Sequence, residues 1–197
     1  CVSRLVRGRE LGAVVVTVSY RLGLEGFGPL LDLVLSVVDP PRATSAAPWL
    51  AADRVRPRAR AMTGTVHKVF LSSTFLDQEE RRRHIIAAIE SFEDMKCVAM
   101  ERFTATTHPA LETCRKGASE ADLFIGILAY RYGWIPDGEQ KSITELEFDA
   151  AGEAGKERYL FLKSEEARFL PKDMDSHTGE NERGKRIRRL RDRLQSA

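Results

Sequence analysis

From Val66 onward, apolar residues come in short runs separated by stretches of helical spacing. VHKVFLSS (66–73) predicts a strand that ends in hydroxyls. Asp77 followed by Glu80 predicts a capping box, with Ile85, Ile89 and Phe92 continuing at helical spacing. MKCVAMER (95–102) predicts a second strand, and Pro109 opens a helix that runs to about Glu120. DLFIGILAY (122–130) is a nearly continuous apolar strand, Ser142 opens a third helix, and RYLFLK (158–163) is the fourth strand. Residues 180–195 form a polar terminal helix. Apolar strands alternating with helices argue for an α/β fold, a parallel sheet with helices on both faces. Right-handed crossovers then set the strand-to-helix loops along one edge, where such sheets bind ligands.

One helix breaks its own pattern. In SITELEFDAA (142–151), a turn of about 100° per residue puts Ile143, Leu146, Ala150 and Ala154 on one stripe. Glu147 falls inside that stripe, whereas Glu145, Asp149 and Glu153 fall on the other side or its edge. An ionised carboxylate on a packed face is costly unless something pairs with it or uses it. Ser142-x-x-Glu145 is itself a capping box, and a first-turn acid suits the helix dipole, so Glu145 has a structural explanation. Glu147 has none from spacing. Two readings stand side by side for it: a carboxylate paired with a nearby arginine such as Arg131, or a catalytic group.

Composition divides the chain near Met62. Residues 1–61 carry nine arginines, no lysine and five acids, a net charge of +4; residues 62–197 carry 22 bases and 24 acids, a net charge of −2. The first part runs into DPPRATSAAPWLAADRVRPRARA, which keeps neither period and is broken by prolines. An irregular N-terminal extension is expected there, a decayed or misassembled upstream piece joined to a linker, because the chain begins at Cys1 and Met62 suits a start. The charge balance does not suggest a nucleic-acid partner, and RGKRIRRLRDR reads as the solvated face of a terminal helix. Cys1, Cys97 and Cys114 have no disulfide or zinc spacing, and His67, His84, His108 and His177 no ligand spacing, so no metal is expected. Apolar runs such as LLDLVLSVV are about half the length a membrane span needs. The expectation is a cytoplasmic protein with reduced thiols and no membrane contact.

Two stretches resemble known families. ELGAVVVTVSYRLGLEGFGPL (10–30) is similar to the strand-turn segment of type-B carboxylesterases, but no GxSxG elbow follows and the triad has no counterparts. VFLSSTFLDQEERR, MER (100–102), FIGILAYRYGWIPDG, SITELEFDAAGEAGK and YLFL, in that order, resemble a bacterial TIR-like domain of unknown function. This is the DUF-4062 family of the TIR/STIR superfamily, and the likeness covers about 66–197. It implies a flavodoxin-like or TIR-like sheet in residues 62–197, usually the N-terminal part of a larger protein with an ATPase, WD-repeat or TPR module. The family continues through one more strand and helix, so this copy is expected to be truncated.

The resemblance also implies chemistry. The superfamily includes TIR domains that cleave NAD and nucleoside deoxyribosyltransferases, both using a helix-borne glutamate. Glu147, Ala151, Gly155 and Lys156 sit at the places that match the deoxyribosyltransferase segment. A carboxylate in a dry cleft can stabilise or capture the oxocarbenium ion formed when an N-glycosidic bond breaks. The expected role is that of an effector or signalling domain of a bacterial defence-type protein, with NAD or a related nucleotide as substrate and no resident cofactor. The alternative is a non-catalytic domain that self-associates or serves a downstream module. Candidate nucleotide-binding residues are Ser72, Ser73 and Thr74 at the end of the first strand, Glu101 after the second, and Arg131 and Tyr132 after the third. Asp77 reads as a cap, and Trp134 as packing under its loop.

Overall fold

The computed structural model describes the backbone of residues 2–6, 13–19 and 34, and residues 66–102, 110–163, 170–175 and 181–196. The central strands are β3 (His67–Ser73), β4 (Met95–Val98), β5 (Leu123–Leu128) and β6 (Glu157–Lys163). They are mutually parallel in the order β6-β5-β3-β4. Two further strands, β1 (Val2–Val6) and β2 (Ala13–Ser19), continue the sheet antiparallel beyond β6. The extension expected at residues 1–61 therefore contributes an edge to the sheet, and β2 coincides with the strand half of the esterase-like segment. The turn half of that segment, the linker, Pro109, His108 and His177 lie outside the described residues.

The helices are α1 (Glu79–Glu90), α2 (Ala110–Glu120), α3 (Ile143–Glu153) and α4 (Glu182–Ser196). All six positions of β5 are buried, as a strand sandwiched between helix layers requires. Alternate strand residues feed two cores. On one face Phe70, Phe124, Leu160 and Leu162 meet Ala118 of α2, Phe148 and Ala151 of α3, and Ile187, Leu190 and Leu194 of α4. On the other, Val69, Leu71, Ile125 and Phe161 meet Ile85 and Ile89 of α1. The turn of α1 differs from expectation. Gln78, not Asp77, is its N-cap and makes no side-chain cap bond, because Asp77 is taken up by the Thr74 hydroxyl at 2.5 Å and the Gln78 amide at 2.9 Å.

The order of the four parallel strands is that of flavodoxin-like folds, in which the chain reverses direction across the sheet between the first strand and the third. Here that switch lies between β3 and β5, whose Ser72 and Ser73 pair in register with Gly126 and Ile127. Crossovers leave β3 and β5 in opposite directions at this point, which opens a crevice beyond their C-terminal ends. Among the described residues no helix is long and apolar enough to cross a membrane.

Candidate functional site

The crevice holds a cavity of about 460 Å³ whose lining includes Ser73, Thr74, Arg82, Cys114, Arg131 and Glu147. That volume lies within the roughly 300–1,000 Å³ of small-molecule sites. Glu147 forms part of its wall at 6% exposure. Two other acids of α3 are neutralised from outside: Asp149 by Lys141 at 2.6 Å, and both Glu145 and Asp149 by Arg193 at 3.2 Å. Glu147 has no ion pair among the described residues. Its carboxyl instead accepts a hydrogen bond from the Ser72 hydroxyl at 2.5 Å and one from the Cys114 thiol.

Burial pushes the Glu147 carboxyl up from its ordinary 4.5 to about 7, against the hydrogen bonds of Ser72 and Cys114 and the charge of Arg82, which favour the anion. The Cys114 thiol is pushed up to about 12 by burial and then by Glu147, so it stays protonated and serves as a donor. Arg82, at 1% exposure, grips Glu101 through Nε at 2.5 Å and Nη2 at 2.7 Å. Its Nη1 donates to the Ser73 hydroxyl at 2.8 Å. One arginine thus ties α1, the end of β3 and the turn after β4 together.

The cavity unites several of the expected residues. Ser73, Thr74, Arg131 and Glu147 share its lining, and Ser72 touches it through Glu147. Arg131 does not pair with Glu147; it donates to the Lys172 carbonyl at 2.9 Å and faces Asp175 at 3.8 Å. Glu101 is engaged by Arg82 and reaches the site through it. Tyr132 turns away from the position expected of a stacking residue. Its ring is buried in the core, and its hydroxyl donates to Glu145 at 2.5 Å while accepting the Ser142 N–H at 3.3 Å. The Ser142 hydroxyl accepts the Glu145 N–H, so half of the capping box is made as expected and Tyr132 is inserted into the other half. Gly155 and Lys156 also have a local role. Gly155, at φ +66°, ends α3, with Lys156 N–H on the Ala151 carbonyl and its own N–H on that of Gly152, a Schellman motif.

Trp134 departs from expectation in the other direction. It is 61% exposed at the cavity, near Phe75, Leu76 and Met100, and does not pack under its loop. Gly133 makes this possible: it sits at φ +90°, and a Cβ there would lie 3.1 Å from Thr74 Cγ2. Gly133→Ala is expected to cost ~1–2 kcal/mol from the backbone alone. Thermal unfolding checks this, and an unchanged midpoint would contradict it. Arg82, Cys114 and Trp134 were not anticipated as lining residues. Arg82 carries the same signal as Glu147, a charge at helical spacing with Ile85 and Ile89. Among the described residues no group of three or more His, Cys, Asp or Glu could hold a metal ion.

Residues 68–197 match a family model described as domain of unknown function DUF4062. No curated protein and no solved structure matches the chain.

Proposed function

The chain belongs to the DUF4062 family, and on that premise we propose that residues 62–197 are a TIR-like effector or signalling domain of a bacterial defence-type protein that cleaves the N-glycosidic bond of NAD or a related nucleotide. The observation that carries this reading is Glu147, a buried carboxyl that has no ion pair among the described residues and faces a cavity at the switch point of the sheet. A carboxylate kept only for stability would be expected in a salt bridge, as Glu145 is. In NAD the bond from ribose C1′ to the nicotinamide nitrogen breaks, and its electron pair leaves with the neutral base. Glu147 stabilises or captures the oxocarbenium carbon, and water completes the exchange, giving ADP-ribose and a proton. Ser72 and Cys114 hold the carboxylate in place as donors.

The reaction needs the ionised carboxylate. Free-base release is therefore expected to rise with pH as Glu147 ionises and to level off above about 7. A pH–rate profile of kcat/KM for NAD measures this, and a profile that falls across the same interval would count against Glu147 as the anion. The second reading, a non-catalytic interaction domain, is favoured by the exposed Leu76 and Trp134 beside the cavity. It predicts concentration-dependent association that substitution of these two side chains weakens, measured by sedimentation.

A further inference from the structure

The cavity wall has a charge that neither the fold nor Glu147 uses. Arg183 lies in the first turn of α4 and lines the same cavity as Glu147 and Trp134. Its side chain is exposed and has no ion pair among the described residues. The other two arginines of the lining are engaged, Arg82 by Glu101 and Arg131 by Asp175 and the Lys172 carbonyl. The helix that carries Arg183 is seated firmly. Asn181 caps it, accepting the Gly184 N–H at 2.6 Å, and the buried Arg191 donates to the carbonyls of Ala129 at 3.1 Å and Lys163 at 2.6 Å. Those two carbonyls lie just past the end of β5 and at the end of β6, so α4 is fixed to the edge of the sheet where the crevice opens.

We propose that Arg183, which shares the cavity lining with Arg131, is a phosphate-binding subsite, so that the substrate is a phosphorylated nucleotide and not a free nucleoside. The division of the lining supports this. Glu147 provides an acid beside the ribose carbon, Trp134 and Met100 an apolar wall for a base, and Arg183 a cation for the phosphate. An arginine fork suits phosphate oxygens because it offers planar, paired donors. The subsite rests on the reading of this cavity as a nucleotide site, and it adds which part of the ligand Arg183 selects.

The test is calorimetric binding of NAD and of nicotinamide riboside, which lacks phosphate, to the full chain carrying Glu147→Gln, with and without Arg183→Gln. Loss of an arginine–phosphate contact is expected to weaken NAD about ten- to a hundredfold and to leave the riboside unchanged. Binding of NAD that Arg183→Gln weakens selectively, while the chain with Glu147 intact releases no free base, would uphold the subsite and overturn the glycosidase. Base release by the chain with Glu147 intact, together with equal NAD affinity of the Glu147→Gln chain with and without Arg183→Gln, would overturn the subsite and leave the glycosidase standing. Failure of both ligands to bind would overturn the nucleotide site itself.

Discussion

Replacing Arg82 by methionine is expected to destabilise the chain by ~3 kcal/mol. The guanidinium is buried to 1% exposure and makes three side-chain contacts, two to Glu101 and one to Ser73. Methionine fills part of the volume but removes both of Arg82's hydrogen bonds to the Glu101 carboxylate. Because the Glu101 side chain is 29% exposed, water recovers some of that loss, which puts the expectation at the lower end for broken buried pairs. Lysine should recover little, since a single ammonium cannot reproduce the fork. Denaturant unfolding measures the difference, and a change within about 0.5 kcal/mol would mean that the pair is structurally idle. The substitution also reaches Glu147: without the charge of Arg82 its carboxyl should rise further above its ordinary value.

Replacing Glu147 by glutamine is expected to separate activity from stability. Base release should fall at least about a thousandfold, because the amide cannot offer a negative charge to the oxocarbenium carbon. Stability should move the other way at alkaline pH. Between 4.5 and about 7 the folded carboxyl keeps a proton that the unfolded chain has released, so the folded state binds more protons and loses stability as pH rises. Glutamine has nothing to titrate and can still accept from Ser72. From about pH 4 to about pH 8 the balance should therefore shift toward the variant by on the order of 3 kcal/mol. Thermal unfolding of both proteins across that range checks it. A wild type that gains stability relative to the variant as pH rises would show that Glu147 is stabilised as an anion by a charge partner.

The fold was legible because its strands and helices carry distinct periods, and because β5 is apolar along its whole length in FIGIL. Glu147 was legible for a related reason: a charge on an apolar stripe contradicts its surroundings, and Leu146 and Ala150 identify the stripe. The turn before α1 was misread because Asp77 has the right type and spacing for a cap, whereas the nearby Thr74 hydroxyl competes for the same carboxylate. Tyr132 and Trp134 exchanged their expected places. Their sequence neighbours are alike, and the direction of each ring depends on the φ of Gly133 and on the distant Glu145 and Asp175, which local pattern does not carry. Cys114 reads as a small core residue beside Ala118, and only the packing of α2 against α3 brings its thiol to Glu147. Sites assembled from several elements have this property. Contributions such as the Cys114 thiol look ordinary on their own helix or loop.

The central claim is that Glu147 is the carboxylate of a glycosidic-bond-cleaving site, and the most direct test follows free nicotinamide released from NAD at about pH 8, where the carboxylate is ionised. The chain and its Glu147→Gln variant would be compared at the same high concentration, with folding verified in both. Release by the wild type that is lost in the variant is the predicted result. No release from the folded wild type, or equal release from both proteins, would contradict the account.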